Sequence, residues 1–442
     1  MRKVVKFGGT SLSDATQIRK AINIIHSDPD RRIVVVSAPG KRHGSDRKVT
    51  DLLLSLYENL KSPRGKSGAE RLFSQISVRF LEIFSQLRLR INFRHELNSI
   101  RTVLFSRRPC VTQDYVVSRG EYLMGIIMAA ALDYEFVDAA DVIRFDHNGN
   151  YDEVATDALL ESRLKGSKPV VVPGFYGLLP NGLTKTFARG GSDITGSILA
   201  RSLKADLYEN WTDVSGMRMA DPRIVSGPRV VSVLSYREMR ELAYMGAGVF
   251  QEEAVFPVQK VGIPINIRNT NAPQDPGTMI VRDAGERKPG TIVGIAGRTG
   301  FSVIALEKAL MNQQVGFVER VLCVLRKHGV SFEHMPSGID TLSIIVETVQ
   351  LAPKVKEVRE GIEKAVSPDS LEVSPGMAMI CTVGEAMSHT PGVAAKLFGT
   401  LAAANVNIRM INQGSSETNI IVGVSEGDCD KAINAIYRAF VG

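Results

Sequence analysis

Cysteine and tryptophan are scarce in this chain. Its 442 residues include four cysteines and one tryptophan. The cysteines stand far apart, without the paired spacing of zinc or redox motifs, so the sequence argues against a cysteine-based metal or redox site. Isolated thiols are typical of a reducing compartment, and we expect a cytoplasmic protein. The four are Cys110, Cys323, Cys381 and Cys429.

Long apolar runs and clustered basic charge are also scarce. No apolar stretch approaches the roughly 18 residues of a membrane-spanning helix, and no signal-like run opens the chain. Lys and Arg number 54 against 47 Asp and Glu, and the net charge of +7 fits anionic small molecules. We expect neither a membrane nor a nucleic acid as partner, because the sequence shows no basic aromatic face.

The composition, 44% hydrophobic and 23% charged, is that of a globular protein too long for one core. The apolar run over residues 33–38 follows a strand and a helical pattern, and the three together predict a βαβ unit. We expect an open, mostly parallel sheet with helices on both faces and a helical insertion over about residues 52–132. Ligands of such sheets gather at the carboxyl ends of the strands.

Residues 4–11, Val-Val-Lys-Phe-Gly-Gly-Thr-Ser, have the order strand, tight turn, helix. Gly8 and Gly9 would let backbone N–H groups approach an anion, the next helix would add the positive end of its dipole, and Lys6 would add an ammonium. This pattern predicts a phosphate cradle, although an ordinary surface turn fits the same residues. The spacing of glycines and lysine is not that of a Walker loop.

A second glycine-rich helix start, Arg189-Gly-Gly-Ser-Asp193, favours an anion site further. Ser192 or Asp193 is equally consistent with an ordinary helix N-cap. Glu121 also has two interpretations, because it is either a site carboxylate or the last residue of a capping box that opens with Ser118.

Four motifs taken together and in this order resemble those of aspartate kinases: Lys6-Phe-Gly-Gly-Thr-Ser11, Arg-Gly-Glu121, Arg189-Gly-Gly-Ser-Asp193 and Trp211-Thr-Asp-Val214. The resemblance extends over essentially the whole chain. It implies the amino-acid-kinase fold and the ATP-dependent phosphorylation of the side-chain carboxylate of L-aspartate to 4-phospho-L-aspartate. This reaction starts the biosynthesis of lysine, threonine and methionine. The chain stops at Gly442 without room for a fused dehydrogenase, so a monofunctional enzyme is expected.

The resemblance also implies roles for single residues. A substrate carboxylate is already ionised at pH 7, so the reaction needs positioning and positive charge and no general base. The implied catalytic residues are Lys6, Arg189 and Asp193. The implied substrate-binding residues are Ser37, Thr50, Glu121, Arg189 and Ser192, with Arg189 on the α-carboxylate and Glu121 on the α-ammonium. The implied ATP-binding residues are Lys6, Gly8, Gly9, Thr10, Ser11, Thr212, Asp213, Arg218 and Arg223. Mg²⁺ is implied as an ion held mainly by the ATP phosphates, without a protein metal site.

Two positions depart from the family pattern. Many aspartate kinases have a lysine after the Gly-Ala of the segment 244–248, where this chain has Gly248. Arg218 stands where an aromatic residue against the nucleotide base is expected. We hypothesise that Arg218 takes over part of the role of the missing lysine.

The last third of the chain repeats itself, since residues 316–346 align without gaps with residues 392–422. Each copy has the order of a ferredoxin-like βαββαβ unit, and the pair resembles the tandem ACT domains of aspartate kinases. The expected domains are a catalytic domain over 1–283, a linker over 284–291, a first ACT domain over 292–375 and a second over 376–442. Exposed sheet edges favour a homodimer through the ACT domains.

Tandem ACT domains imply feedback control by an end-product amino acid, lysine or threonine. The predicted effector residues are Met311, Gly316, Phe317, Ser337 and Asp340 in the first copy, and Met387, Asn412 and Gln413 in the second. Ordinary turn and core positions are the alternative, above all for Phe317.

Two other functions fit parts of the sequence. Another amino-acid kinase, of the glutamate or carbamate type, would share the fold but not the combination of Glu121, Arg189 and the tandem repeat. A non-catalytic amino-acid sensor would account for Gly248. The joint presence of Lys6, Arg189 and Asp193 argues against lost chemistry.

Overall fold

The structure, a computed structural model, describes residues 1–106, 108–164, 168–188, 190–248, 250 and 252–442. These residues form two compact units. The first unit consists of Met1–Met217, Val230–Met239 and Gly248–Ala284, and the second of Arg218–Arg229, Arg240–Ala247 and Gly285–Gly442. Two short segments that precede residue 284 therefore group with the C-terminal unit.

An eight-stranded sheet forms the centre of the first unit. Its strands and those of a separate hairpin are β1 (Lys3–Phe7), β2 (Arg31–Val36), β3 (Glu135–Phe136), β4 (Val170–Pro173), β5 (Tyr176–Leu178), β6 (Thr184–Thr186), β7 (Leu207–Thr212), β8 (Val233–Ser235), β9 (Ile265–Asn269) and β10 (Thr278–Val281). The sheet order is β3-β4-β2-β1-β7-β9-β10-β8, with β5 and β6 paired separately. All neighbours run parallel except β9 and β10. The predicted fold class is confirmed.

Ten α-helices accompany the described strands of this first part of the chain. They are α1 (Ala15–His26), α2 (Val49–Lys61), α3 (Lys66–Gln86), α4 (Phe93–Leu104), α5 (Gln113–Leu132), α6 (Ala139–Val142), α7 (Glu153–Leu164), α8 (Gly191–Ser202), α9 (Tyr236–Tyr244) and α10 (Phe256–Val261). Helices α2 to α5 are the expected helical insertion. Their apolar faces join α1 and the central strands in one core, in which Phe7 and Trp211 stack with ring centroids 6.1 Å apart.

Helix α5 is the most buried long helix of the insertion, since 13 of its 20 residues are buried. By length and composition it is the one helix of the described ranges that is long and apolar enough to cross a membrane, yet 72% of its apolar window is buried inside the protein. Such burial is typical of a core helix. The sequence of α5 is not an uninterrupted apolar run, because Arg119 and Glu121 lie within it. This helix is therefore consistent with the absence of long apolar runs from the sequence.

Strand β10 corrects one expectation from the sequence. The segment Pro276-Gly277-Thr278 has the composition of a turn, and residues 263–269 alone would be taken as the last strand of this unit. The chain does turn at Gly277, whose φ is +71°, but it then returns antiparallel to β9 as one more strand. A glycine is required there because a Cβ would lie 2.0 Å from the carbonyl oxygen of Ile267.

The second unit contains one antiparallel sheet of six strands. Its strands are β11 (Gly294–Glu307), β12 (Phe332–His334), β13 (Thr341–Glu347), β14 (Ser370–Val383), β15 (Met410–Asn412) and β16 (Asn419–Ser425), in the order β12-β13-β11-β14-β16-β15. Its helices are α11 (Phe317–Lys327), α12 (Thr348–Leu351), α13 (Val355–Val366), α14 (Val393–Ala403) and α15 (Cys429–Val441).

The two sequence repeats share the long strands β11 and β14, which pair with each other over almost their whole lengths. The C-terminal half of β11 lies beside β13 in the first copy, and the C-terminal half of β14 lies beside β16 in the second. The second copy takes its fourth strand from residues 294–298, which precede the first copy. Helices α11 and α13 cover the first half of the sheet, and α14 and α15 cover the second.

Candidate active site

A cavity of about 1390 Å³ lies at the carboxyl ends of the central strands of the first unit. This is the edge of the sheet at which ligands were expected. The cavity brings together residues that are far apart in the sequence. The predicted site residues that line it are Lys6, Gly8, Gly9, Thr10, Ser37, Thr50, Glu121, Ser192, Asp193 and Thr212.

Lys6 and Asp193 form an ion pair at this cavity, with side chains that are only 9% and 13% exposed. Asn210 donates its amide N–H to Oδ1 of Asp193 at 2.7 Å. Lys6 and Asn210 are neighbours in register on β1 and β7, so the adjacent strands place both groups against the same carboxylate. The Tyr208 hydroxyl donates to the main-chain oxygen of Asp193 at 3.1 Å. The Lys6 ammonium is therefore held in a fixed position.

Helix α8 presents its N-terminus to the same cavity. Gly190 is its N-cap, with φ of 58° and no side-chain cap, so the N-cap interpretation of Ser192 and Asp193 is wrong. The helix approaches the end of β4 closely, since a Cβ on Gly174 would lie 2.6 Å from Cβ of Ser192. The first turn of α8 adds the positive end of a helix dipole to the ammonium of Lys6.

The glycine turn after β1 differs in part from the expected cradle. The N–H of Gly8 donates to the carbonyl oxygen of Trp211 at 2.9 Å, so this amide is not available to a ligand. Gly9 is required by chain packing, because a Cβ would lie 2.8 Å from the carbonyl oxygen of Ala38. Helix α1 begins only at Ala15, and Asp14 accepts its first N–H groups. The helix thus begins where the sequence predicts it, but no residue of α1 lines the cavity, and the expected contribution of its dipole stays a prediction.

Glu121 lies in the middle of α5 and not at its start. The helix begins at Gln113 with Thr112 as N-cap, so the capping-box interpretation with Ser118 is wrong. Instead Oε1 of Glu121 accepts a hydrogen bond from the Ala38 amide at 3.0 Å. Gly120 permits this approach, because a Cβ there would lie 2.8 Å from Cβ of Ala38.

The second carboxylate oxygen of Glu121 is buried without a hydrogen-bond partner among the described residues. Burial raises the pKa of Glu121 to about 7, because the charged form loses its hydration. A buried acceptor without a partner is costly unless a ligand satisfies it. A cationic group bound in the cavity would donate a hydrogen bond to this oxygen and would stabilise the ionised form of Glu121.

Sequence reasoning missed several residues of the cavity wall. Phe175 lines the cavity with φ of +85°, a strained value for a residue with a bulky side chain. Its position directly after the strand exit at Gly174 was the available signal. On the opposite hairpin, Thr186 donates to Oδ1 of Asp114 at 2.6 Å and Lys185 lies 3.5 Å from Oδ2, so α5 also anchors strand β6.

Other predicted site residues lie outside this cavity lining. Ser11 is buried and accepts a hydrogen bond from Thr270 at 2.8 Å. Asp213 accepts from the Thr212 hydroxyl at 3.2 Å. Arg218 and Arg223 belong to the second unit, where Arg218 donates to the carbonyl oxygen of Pro228 and Arg223 pairs with Asp221. Arg189 lies outside the described residues.

The predicted effector residues fall into two groups in the second unit. Met311, Phe317 and Met387 have side chains in the cores of their copies, at 5%, 2% and 3% exposure. The residues near the surface are Gly316, Ser337, Asp340, Asn412 and Gln413. The Asp340 carboxylate accepts a hydrogen bond from the Leu310 amide at 2.8 Å, and the Asn412 side chain is hydrogen-bonded to His334.

The described residues contain no group of three or more His, Cys, Asp or Glu side chains arranged to hold a metal ion.

Residues 1–269 match the model of the amino acid kinase family, and residues 380–440 match that of an ACT domain. The chain therefore belongs to the amino acid kinase family. It is 41% identical to aspartokinase 3 of Bacillus subtilis (strain 168), over 99% of this chain and 98% of that protein. The crystal structure of Clostridium acetobutylicum aspartate kinase has a TM-score of 0.88 at 48% identity, with 99% of each chain covered. Within its family the chain thus belongs with the aspartate kinases.

Escherichia coli aspartokinase III is a more distant structural relative, at 26% identity with 100% of both chains covered. Its complex with aspartate and ADP, an R-state, has a TM-score of 0.81. Its complex with lysine and aspartate, a T-state, has a TM-score of 0.78. The chain spans about half the length of the plant bifunctional aspartokinase/homoserine dehydrogenases that it also matches.

Proposed function

We propose that this chain transfers the γ-phosphoryl group of ATP to the side-chain carboxylate of L-aspartate and is inhibited by an end-product amino acid. The observation that carries the proposal is the convergence of the Lys6–Asp193 ion pair and the orphan oxygen of Glu121 in one cavity. The ion pair holds the Lys6 ammonium, a cation that can bind phosphates. The Glu121 oxygen is an acceptor for the α-ammonium group of an amino acid.

In this reaction an oxygen of the aspartate side chain attacks the γ-phosphorus, the bond to the β-phosphate oxygen breaks, and ADP leaves with the electron pair. The nucleophile is already ionised, so the protein must bring two anions together. Lys6 offsets negative charge on the transferring group, and Asp193, fixed by Asn210, keeps the ammonium in place. The N-terminus of α8 adds partial positive charge, which offsets negative charge on the transferring group as Lys6 does.

The amino-acid end of the substrate binds at Glu121. Glu121 binds the α-ammonium through Oε2, and Arg189 pairs with the α-carboxylate. Ser37, Thr50 and Ser192, which each carry a hydroxyl group, line the same cavity as Glu121.

The nucleotide binds with its phosphates toward Gly9, Thr10 and Lys6, and with Thr212 and Asp213 near its other end. Mg²⁺ is held mainly by the ATP phosphates and reduces the repulsion between the nucleophile and the triphosphate. Ser11 acts indirectly, through its hydrogen bond with Thr270. Arg218 and Arg223 are assigned to the nucleotide as a hypothesis, with Arg218 replacing part of the role of the lysine that is absent at Gly248.

Lysine is the proposed effector, because a relative of the same family is described with lysine bound in a T-state. The surface residues Gly316, Ser337 and Asp340 of the first copy would contact it, with threonine as the alternative ligand. The proposal includes a homodimer through the ACT domains and a cytoplasmic location.

The test is ATP- and Mg²⁺-dependent acyl phosphate formation, trapped with hydroxylamine, with L-aspartate and L-glutamate as acceptors. We expect turnover with aspartate that falls on addition of lysine. A Lys6→Met variant should lose at least about a hundredfold in kcat, because one preorganised charge is removed. Turnover with glutamate alone, or full activity of Lys6→Met, would contradict the proposal.

A further inference from the structure

A second pocket lies within the C-terminal unit and takes no part in the proposed phosphoryl transfer. Its volume is about 290 Å³. Val303 and Ile345 contribute to its wall from β11 and β13, on the face of the sheet that points away from the helices. Their neighbours Ile304 and Ile344 point to the opposite face and pack against the helices. The pocket is therefore on the side of the sheet that the four long helices of this unit leave uncovered.

The pocket is enclosed because the sheet curls. Strands β12 and β15 are its two opposite edges, yet the Asn412 amide donates to Nδ1 of His334 at 2.8 Å. The pocket lies beside this hydrogen bond. Two residues of its wall are close to the bonded residues in the chain, because Pro336 is two residues after His334 and Ile411 directly precedes Asn412. The lining contains none of the residues of the strand-to-helix turns on which the effector prediction rests.

The wall is apolar apart from two residues, Ser343 and Arg409. The Arg409 guanidinium donates to the Ser374 hydroxyl at 3.4 Å, and no ion pair joins it to a carboxylate in the described ranges. Arg298 of the same sheet, by contrast, is paired with Glu347. A guanidinium without an acidic partner, placed at an apolar pocket, fits a carboxylate that brings an apolar group with it.

We propose that this pocket binds a small carboxylate with an apolar body, of the size of one hydrophobic amino acid. Arg409 pairs with the carboxylate, and the apolar wall encloses the rest of the ligand. Met377 and Met410 supply flexible thioether side chains that adapt to the shape of the ligand. The volume lies near the lower end of ligand pockets, about 300 Å³, which excludes a nucleotide. This site is separate from the proposed kinase site, and none of the predicted effector residues is in its lining, where Pro336 and Ile411 are the chain neighbours of Ser337 and Asn412.

Isothermal titration of the full chain tests the proposal with three probes of similar shape. L-leucine has both charged groups, 4-methylpentanoate has only the carboxylate, and 3-methylbutylamine has only the ammonium. We expect saturable binding of the first two, one molecule per chain, and none of the amine. Arg409→Met should weaken leucine binding about tenfold or more, because it removes the guanidinium and keeps the apolar stem. The matched control is Arg359→Met, an exposed arginine of α13 paired with Glu363, which should leave the affinity unchanged.

A second variant keeps the proposal falsifiable if Arg409→Met fails to fold. Ser343→Leu fills the pocket from a different strand and should abolish binding, while the circular dichroism spectrum and the thermal unfolding of the same preparation report that the chain is folded. Absence of saturable leucine binding to the wild-type chain would overturn the proposal. So would equal binding of the amine, or binding that survives both variants. Loss of leucine binding in Asp340→Asn would assign it to the predicted effector site and would also overturn the proposal.

Discussion

At the scale of single residues, the environment of Glu121 decides what this carboxylate can do. One oxygen is fixed by the Ala38 amide, and the other is buried without a partner in the described structure. The sequence motif identified Glu121 as a candidate, but the same four letters also fitted a capping box. Only the position of Glu121 in the middle of α5 separates the two interpretations.

The raised pKa of Glu121, about 7, predicts a pH dependence of substrate binding. Only the ionised carboxylate attracts the α-ammonium of aspartate. We expect kcat/KM for aspartate to rise with pH and to level off above about pH 7, and we expect Glu121→Gln to lose this rise while KM increases at least about tenfold. Initial rates across pH measure both. A rise that persists in Glu121→Gln would contradict the assignment.

The same shift predicts a change in stability with pH. Because the folded-state pKa lies above the usual 4.5, the contribution of Glu121 to stability is fully present below pH 4.5 and is lost as pH rises through about 7. Above that pH the ionised, buried carboxylate costs roughly 3 kcal/mol, so Glu121→Gln should be more stable than the wild type by a similar amount. Denaturant unfolding at both ends of the range measures the difference, and a constant difference across pH would contradict it.

At the scale of elements, helix α5 connects the core to the candidate site. Because Gly120 has no side chain, the helix can approach Ala38 closely. This contact brings the next residue, Glu121, within hydrogen-bonding distance of the Ala38 amide. A glycine inside a buried helix is unfavourable by helix propensity, so propensity gave no reason to expect it. The tight packing of helix on strand accounts for it.

Gly120→Ala should therefore destabilise the chain by about 1–3 kcal/mol and raise KM for aspartate, because the added methyl group pushes α5 away from Ala38. The matched control is Gly399→Ala in α14, where a Cβ meets nothing within 4 Å. That change should stabilise the chain by about 0.5–1 kcal/mol. Thermal or denaturant unfolding measures both, and an equal effect of the two substitutions would contradict the packing argument.

At the scale of the whole molecule, the repeats form one structure and not two separate modules. Each long strand, β11 and β14, serves both copies, so the fourth strand of the second copy precedes the first copy in the chain. The sequence alignment of the repeats correctly located α11, α14, β13 and β16. It could not reveal the sharing of strands, because internal similarity does not report which strands pair.

Feedback inhibition provides a test of the second unit. Two carboxylates accept hydrogen bonds from main-chain amides of the loop after β11. Asp340 accepts from Leu310, and Asp369 accepts from Ala309. If Asp340 also binds the effector, Asp340→Asn should raise the lysine concentration for half inhibition about tenfold, while Asp369→Asn should change it little. The ratio of activity with and without lysine measures the effect. An equal shift in both variants would mean that the loop conformation matters and not the Asp340 carboxylate.

The sequence by itself determined the elements that depend on local pattern. The βαβ unit, the glycine-rich starts, the helical insertion and the internal repeat are all periodic or motif features, and they were sufficient for the fold class and the family. The tertiary structure alone decided that the second oxygen of Glu121 has no partner among the described residues, and that the guanidinium of Arg409 has a hydroxyl and not a carboxylate as its partner there. Desolvation and pairing depend on segments distant along the chain, such as the Ala38 amide beside α5 or the edge strands that meet at His334 and Asn412. No local pattern records these contacts.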